Sequence, residues 1–268
     1  MSQTYRTFFG FSREPFSAEL KVEEILQTEA VVAVADRVDY AIRLGAVALI
    51  TGEVGSGKST ALRFAISRLH PSEYRLIWVT AGGGSILELY RQIAWELEVE
   101  TPSYGRASLT RIIRKSILDL VSKKQKVVLL IDEASLLRLE VFAELHTLTQ
   151  FEKDSKPILP LLLAGQNNLL DKLYWRTSLP LSSRVIARSH LEGVDRQGME
   201  NYLNHHLRLA GMNHSVFAEQ AITAIHQGSG GLFRKSNHLA RGALIAAATE
   251  KCQQVSAEHV RLASTELI

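Results

Sequence analysis

The sequence predicts an α/β protein in which a parallel sheet lies between two helical layers (an αβα fold), followed by a small all-helical domain. Short apolar segments alternate with amphipathic helical segments through the first two thirds of the chain, as in right-handed βαβ units. Segments 126–131 and 159–164 are apolar without alternation, which is typical of central strands covered on both faces. From about residue 195 only helical patterns remain. We therefore expect an αβα domain over 1–194 and a helical domain over 195–268.

Each strand and helix is predicted from the spacing of its apolar residues. Strands are predicted at 46–51, 74–80, 126–131 and 159–164. Between them, helical spacing is found at 59–69, 86–97 and 109–121. The second domain carries helical patterns near 196–210, 217–227, 234–250 and 256–266, with breaks at Gly211 and at the glycine-rich 228–231.

Composition excludes several classes of protein. The hydrophobic share of 46% and the charged share of 22% are ordinary globular values and argue against disorder, fibrous repeats and coiled coils. The single cysteine, Cys252, cannot form an internal disulfide or a thiolate metal cluster, which fits a reducing compartment. Neither a signal peptide nor an apolar stretch of membrane length is present. We therefore expect a cytoplasmic protein without membrane association, whose net charge of +3 permits a polyanionic partner.

A phosphate-binding loop follows the first predicted strand. Residues 52–59 read GEVGSGKS and satisfy the pattern G-x-x-x-x-G-K-[ST]. The glycines allow backbone N–H groups to point at phosphates, Lys58 reaches the β- and γ-phosphates, and Ser59 ligates Mg²⁺. An accidental glycine-rich turn is the alternative, but the strand before the loop and the helix after it favour an ATP site. The predicted nucleotide-contacting residues are Gly52, Glu53, Val54, Gly55, Ser56, Gly57, Lys58, Ser59 and Thr60.

Polar side chains also follow the later strands. Asp132 and Glu133 end the apolar segment 126–131, as a Walker B pair does. Asp132 is expected to hold Mg²⁺ and Glu133 to act as general base toward the attacking water. Gln166 follows the segment 159–164 and is the candidate γ-phosphate sensor. The alternatives are solvated carboxylates at a strand end and an ordinary polar turn.

Arginines near the predicted domain boundary are candidate stabilisers of the charge that develops during phosphoryl transfer. We predict Arg184 as a finger supplied to a neighbouring subunit, with Arg188 and Arg176 left open for the same role. Arg234, after a glycine-rich break and at a helix start, is the predicted sensor in the helical domain. The alternative is that these arginines are ordinary solvated surface residues.

A basic segment lies before the third predicted strand. Residues 101–126 contain seven Lys or Arg and one Asp, a surplus of 7 − 1 = +6 that exceeds that of the whole chain. Several of these side chains lie opposite the apolar face of their helix and are expected to meet phosphates of duplex DNA without reading sequence. The alternative is a solvated helix face. The predicted DNA-contacting residues are Arg106, Arg111, Arg114 and Lys115.

These motifs together resemble AAA+ ATPases of the ExeA/GspA type, a family that includes the TniB-like and MuB-like helper ATPases of transposons. The resemblance runs nearly end to end, through FFGFSREPFSAEL, GEVGSGKST, LIDEASLL, LLLAGQNNLLDKL and LRLAGMNHSVFAEQAI. It implies an αβα nucleotide domain with a helical lid, ATP with Mg²⁺, and assembly into a homo-oligomeric ring or filament. It also implies that Phe11 and Phe16, within an aromatic segment at 5–20, lie near the adenine; the alternative is that they pack on the core.

The sequence departs from the family pattern in two places. In GGLFRKSN, Phe233 stands where the lid motif usually has proline, and Ser236 stands where it has isoleucine. After the acidic pair, Ala134 and Ser135 replace the glutamine or histidine that relatives tend to carry. These departures put the lid geometry and the coupling of hydrolysis to a partner in doubt.

Three functions follow from the resemblance. The first is a DNA-associated assembly ATPase that binds double-stranded DNA and recruits or activates a transposase, favoured by the basic segment and by the lack of a membrane span after the helical domain. The second is a secretion ATPase that acts on protein partners in envelope assembly. The third is a signalling switch that binds ATP and barely hydrolyses it.

Overall fold

A computed structural model describes residues 2–82, 85–100, 105–154 and 156–265. The described residues form two compact units. The first, which we call the sheet unit, comprises Gln27–Gly52 and Lys58–Leu191. The second, the helical unit, is built from the described residues of Met1–Leu26, Glu53–Gly57 and Glu192–Ile268.

The sheet unit contains five parallel strands in the order β2-β3-β4-β1-β5. Their bounds are β1 Val47–Gly52, β2 Tyr74–Thr80, β3 Lys126–Asp132, β4 Leu161–Gly165 and β5 Val185–Leu191. β1 and β4 are buried along their whole length, and β3 is buried after Lys126, since helices cover both faces of the sheet. The predicted αβα fold with a helical C-terminal part is confirmed.

Twelve α-helices are described. In chain order they are α1 Ser2–Phe9, α2 Glu29–Leu44, α3 Lys58–Ser67, α4 Ile86–Glu96, α5 Arg106–Ser122, α6 Leu139–Thr149, α7 Asn168–Tyr174, α8 Leu179–Ser182, α9 Arg196–Leu209, α10 Glu219–Ser229, α11 Phe233–Thr249 and α12 Ala257–Thr265. The last four match the helices predicted for the C-terminal part. Helices α2 to α8 belong to the sheet unit, and α1 and α9 to α12 belong to the helical unit.

The fifth strand was not among the predicted elements. β5 alternates buried Ala187, Ser189 and Leu191 with exposed neighbours, so one of its faces is solvated. It pairs with β1 at the edge of the sheet. A two-residue alternation is the signal for such a strand, but here it is weakened by the polar Ser189 and by the arginine beside it.

The N-terminal segment packs in the helical unit, which differs from the predicted domain division. Tyr5, Phe9, Phe11 and Phe16 are buried in the same apolar core as α9 to α11. The Ser12 hydroxyl and its backbone N–H both donate to the carbonyl oxygen of Ala210, at 2.9 Å each. The segment is far from α9 in sequence, but burial of its aromatic side chains in that core fixes its place.

Candidate nucleotide site

The sheet unit collects polar side chains at one edge of the sheet. β1, β3 and β4 are parallel neighbours, so their carboxyl ends lie at the same edge. β1 leads to Lys58 and Ser59, β3 ends at Asp132 with Glu133 next, and β4 is followed by Gln166. Ligands of open parallel sheets bind at this edge. The sequence-predicted residues of these three strand ends are therefore grouped on one side of the sheet.

Lys58 is the first residue of α3 and is only 5% exposed. Its Nζ donates to the carbonyl oxygen of Gly52 at 3.0 Å, across the base of the glycine-rich loop. A buried ammonium is costly unless it is bonded. The geometry gives Lys58 a fixed position at the loop, where an anionic phosphate would gain a strong charge-assisted bond.

Ser59 and Asp132 form an oxygen pair suited to Mg²⁺. The Ser59 hydroxyl donates to Asp132 Oδ2 at 3.0 Å, although the two residues are 73 positions apart. Asp132 is 8% exposed, so its carboxylate is mostly withdrawn from water. Hydroxyl and carboxylate oxygens are hard donors of the kind that Mg²⁺ takes together with phosphates and water. The residues present therefore fit the predicted cation.

Glu133 adopts a left-handed backbone conformation with φ 53° and ψ 31°. This region is uncommon for a residue other than glycine. Its backbone N–H donates to Asp132 Oδ1 at 2.9 Å, and its carbonyl oxygen accepts from the backbone N–H of Leu136 at 2.8 Å. The conformation turns the chain sharply away from β3. It leaves the Glu133 side chain half-buried at the sheet edge where the strands have their carboxyl ends, which we call the phosphate edge.

The turn after Glu133 lies against the end of β4. Ala134–Leu136 forms a 3₁₀ turn, and a Cβ on Gly165 would lie only 2.8 Å from the backbone nitrogen of Ser135. Gly165 is therefore required for the close approach. The Lys172 ammonium on α7 donates to the carbonyl oxygen of Ser135 in this turn and to that of Leu137 just after it. Sequence reasoning did not single out Lys172.

The remaining loop residues, Glu53–Gly57, pack within the helical unit. Gly55 and Gly57 have φ of 86° and 95°, which side-chain-bearing residues rarely adopt. The backbone N–H of Arg234 donates to the Gly55 carbonyl oxygen at 3.3 Å, and the Phe233 ring lies 3.2 Å from the place of a Cβ on Gly57. The start of α11 thus contacts the glycine-rich loop, and the sensor role of Arg234 stays a prediction.

The three candidate finger arginines differ in surroundings. The Arg184 guanidinium donates to the Asp154 carboxylate and holds the pKa of that carboxyl below its usual range. Arg188 on β5 and Arg176, which follows α7, are both exposed. The finger role stays a prediction for all three, and for Arg184 it requires this intramolecular ion pair to open.

Phe11 and Phe16 are core residues of the helical unit. Phe11 stacks on Phe9 with ring centroids 5.5 Å apart, and Phe16 stacks on His206 at 5.4 Å. Phe16 is 1% exposed and has φ 58°, so tertiary packing holds it in an uncommon conformation. The structure gives both rings a packing role, and their contact with adenine stays a prediction.

The predicted DNA-contacting side chains all lie on α5 but differ in their bonds. Arg106 pairs with Glu144 at 2.8 Å. Arg114 donates to the Gln150 carbonyl oxygen, and its guanidinium lies over the Phe151 ring. Arg111 and Lys115 are exposed and one helical turn apart. Contact of these four residues with DNA stays a prediction.

A further group of donor atoms lies in the helical unit. Glu250, Cys252 and His259 each bring one possible ligand atom within 4.8 Å of the others. The backbone N–H of Ser256 donates to His259 Nδ1 at 2.9 Å, which places the ring proton on Nε2, 3.0 Å from Glu250 Oε2. The lone pair of the His259 imidazole therefore accepts the hydrogen bond from Ser256 and is not available to a metal ion. The group is better described as a set of hydrogen bonds at the start of α12.

Comparison with known proteins agrees with this geometry. Residues 42–173 match the family described as AAA domain. The parallel sheet and the glycine-rich loop that follows β1 have the fold of P-loop NTPases. Over 265 residues the chain is 29% identical to the general secretion pathway protein A of Aeromonas hydrophila, covering 98% of this chain and 48% of that protein. The chain spans about half the length of this curated relative.

Solved structures give the same fold. Cdc6p from Pyrobaculum aerophilum superposes with a TM-score of 0.76 at 16% identity, covering 94% of this chain and 70% of that one. The Aeropyrum pernix ORC1 protein, solved in complex with DNA, superposes with a TM-score of 0.71 at 19% identity, covering 92% and 67%. Within the described part of the chain, no helix has both the length and the apolar character needed to cross a bilayer.

Proposed function

We propose that this chain binds ATP with Mg²⁺, hydrolyses it to ADP and phosphate, and uses the reaction to control assembly of a homo-oligomer. The observation that carries the proposal is the bonded pair Ser59 and Asp132, with Glu133 next in the chain, at the edge where Lys58 is fixed. A turn with no role in binding charged groups would not bury an ammonium and a carboxylate together at a phosphate-binding loop, because the burial of charge is costly.

The residues divide the reaction between them. Lys58 binds phosphate oxygens, and the Ser59 and Asp132 oxygens hold the cation, which when bound neutralises charge on the β- and γ-phosphates. Glu133 accepts a proton from water as the water oxygen bonds to the γ-phosphorus and the bond to the bridging oxygen of ADP breaks. Gln166 orients the same water, and an arginine such as Arg234 stabilises the transferred group.

The substitution Glu133→Gln tests this proposal. Loss of the base is expected to lower turnover by about 10²–10⁴-fold while nucleotide-dependent assembly is kept or increased. Phosphate release and light scattering measured in the same samples give both quantities. Glu140→Gln, an exposed carboxylate on the first turn of α6, is the matched control. If Glu133→Gln changes neither quantity, the chain is a slow nucleotide switch and the hydrolytic proposal is wrong.

For the partner, we propose duplex DNA, with the chain acting as a transposition helper of the TniB or MuB kind that recruits or activates a transposase. The exposed pair Arg111 and Lys115 on α5 supports this proposal. Substituting both by alanine should weaken DNA binding for every sequence and reduce the salt dependence by about one unit of slope per lost phosphate contact. Arg43→Ala, on the exposed end of α2 and paired with Asp39, is the control.

A secretion role in envelope assembly, with protein partners, is the second candidate. It is favoured by the named relative from Aeromonas hydrophila, which matches nearly the whole of this chain. Assembly and hydrolysis measured with ATP, ADP or no nucleotide, with and without duplex DNA at low and moderate salt, separate the two. DNA-stimulated hydrolysis supports the transposition helper, and indifference to DNA supports the secretion ATPase.

A further inference from the structure

Lys172 makes an unusual pair of bonds within the sheet unit. Its Nζ donates to the carbonyl oxygen of Ser135 at 2.6 Å and to that of Leu137 at 2.7 Å. The lysine lies on α7, and both acceptors lie 35 or more positions earlier in the chain. An ammonium on a four-carbon stem offers three donors, so one side chain can bridge two carbonyls. These bonds join α7 to the 3₁₀ turn that follows Glu133.

The turn that Lys172 bonds sets the direction of Glu133. Glu133 is the residue before Ala134–Leu136 and has the left-handed conformation described above. A residue with a side chain keeps that conformation only when its surroundings hold it. A small rotation about its backbone bonds would move the carboxylate away from the phosphate edge. Bonds to the carbonyls just beyond Glu133 oppose this rotation.

The same contacts fix Gln166. Gly165 is pressed against the backbone of Ser135, where a Cβ would lie 2.8 Å from the nitrogen. Gln166 follows directly, and its carbonyl oxygen accepts the Leu169 N–H at 3.0 Å as the chain enters α7. Lys172 lies six residues beyond Gln166. The end of β4, the start of α7 and the turn after β3 are therefore held together from both sides.

We propose that Lys172 is a positioning residue for hydrolysis: it fixes the turn after β3 so that the Glu133 carboxylate faces the attacking water. This inference rests on the proposed ATPase function. The Lys172 ammonium is directed at two backbone carbonyls, so the proposed role needs no contact between Lys172 and the nucleotide. Lys172 contributes to the position of the general base Glu133 and not to the binding of ATP.

The substitution Lys172→Met removes the ammonium and keeps an unbranched apolar stem. Because a small misplacement of a reacting group can lower a rate by about 10²-fold, we expect kcat to fall about 10–100-fold. The KM for ATP and the affinity for a fluorescent ADP are expected to stay at wild-type values. Lys172→Arg, which keeps donors for both carbonyls, is expected to restore part of kcat. Lys156→Met is the matched control, because Lys156 is exposed and pairs with the nearby Glu152.

A double substitution separates positioning from a general loss of structure. If Lys172 acts through Glu133, adding Lys172→Met to Glu133→Gln lowers the residual turnover no further. Losses of turnover that multiply in the double variant, an unchanged kcat in Lys172→Met, or a weakened ADP affinity that accounts for the whole loss would each overturn the inference.

Should Lys172→Met not fold, Lys172→Gln, which keeps a donor for one carbonyl, gives the same comparison. A wild-type protein that binds ADP but never hydrolyses ATP refutes the proposed function itself, whereas active wild type with unaffected Lys172 variants refutes only the role of Lys172.

Discussion

Buried polar side chains serve different ends in the sheet unit and in the helical unit. In the sheet unit, Lys58 and Asp132 are buried at the edge where the strands end, and each lies at a loop or turn. In the helical unit, the buried Tyr5 hydroxyl donates to the partly exposed Glu14 carboxylate, which also forms an ion pair with Arg241 at 3.1 Å. The first set faces an edge suited to a ligand, and in the second the Tyr5 hydroxyl is bonded to a residue of its own unit.

The architecture explains this difference. Parallel strands end together, so the polar residues that follow them are brought to one place without any sequence relation between them. Helices satisfy their own backbone, and polar side chains between them find partners on neighbouring helices or loops. The general base and the cation ligands are therefore expected to depend on the sheet unit, and the N-terminal segment and the buried His206 of the helical unit are expected to govern stability.

The substitution Phe16→Ala tests the helical side of this comparison and should have the largest effect. The ring is buried and contacts His206 and Phe217, so we expect a loss of about 3–5 kcal/mol in the free energy of unfolding. Denaturant unfolding measures this loss. The partly buried Phe8→Ala is the control and is expected to cost less.

The same variant decides between packing and adenine contact for Phe16. If the ring only packs, ATP affinity of the folded variant at low temperature equals that of wild type. A weakened ATP affinity with unchanged unfolding would assign Phe16 to the nucleotide, as the family resemblance implies, and would break the division between the two units.

The substitution Lys58→Met tests the sheet side. Loss of the phosphate contact is expected to lower turnover by about 10²–10³-fold, or about 2.7–4 kcal/mol, because a fixed donor at the developing charge is removed. Phosphate release measures the rate, and fluorescent ATP measures binding. Stability should not fall comparably, since methionine relieves the cost of a buried ammonium. A large loss of stability at unchanged turnover would give Lys58 a structural role, and Lys156→Met again provides the matched control.

The sequence predicted the sheet unit better than the helical unit, for a physical reason. Lys58, Asp132 and Gln166 follow short apolar strands, and a pattern of strand and loop is local in the chain. The place of the N-terminal segment depends on contacts such as that of Ser12 with Ala210, which join residues 198 positions apart. Local periodicity carries no information on which distant helix an aromatic side chain joins.

Lys172 shows a second limit of sequence reasoning. It follows a strand and a turn as Gln166 does, but its partners are backbone carbonyls of another turn, and every residue has a carbonyl. No residue type marks such an acceptor.

The basic residues of α5 show the reverse case. Four cationic side chains were predicted to be available for contact with DNA phosphates, and the structure pairs Arg106 with Glu144 and Arg114 with Gln150.

His206 gives the helical unit a dependence on pH. Burial penalises the charged imidazole and lowers its pKa to about 4, and the neighbouring His205 and Arg13 act in the same direction while Glu24 opposes them. The unfolded chain takes up this proton near pH 6.5. Between pH 6.5 and 4 the unfolded state therefore binds more protons, and the free energy of unfolding falls as the pH falls. The loss from this residue is expected to reach about 3 kcal/mol near pH 4.

Urea unfolding at a series of pH values between 8 and 4 measures this dependence. His206→Gln should show a shallower fall in stability below pH 6.5 than wild type, whatever its stability at pH 8, because the residue no longer takes up a proton on unfolding. His214→Gln, an exposed histidine of the same unit, controls for the change of residue type. An equally steep fall in His206→Gln would mean that other groups cause the acid sensitivity, and that the buried histidine is protonated as easily in the folded chain as in the unfolded one.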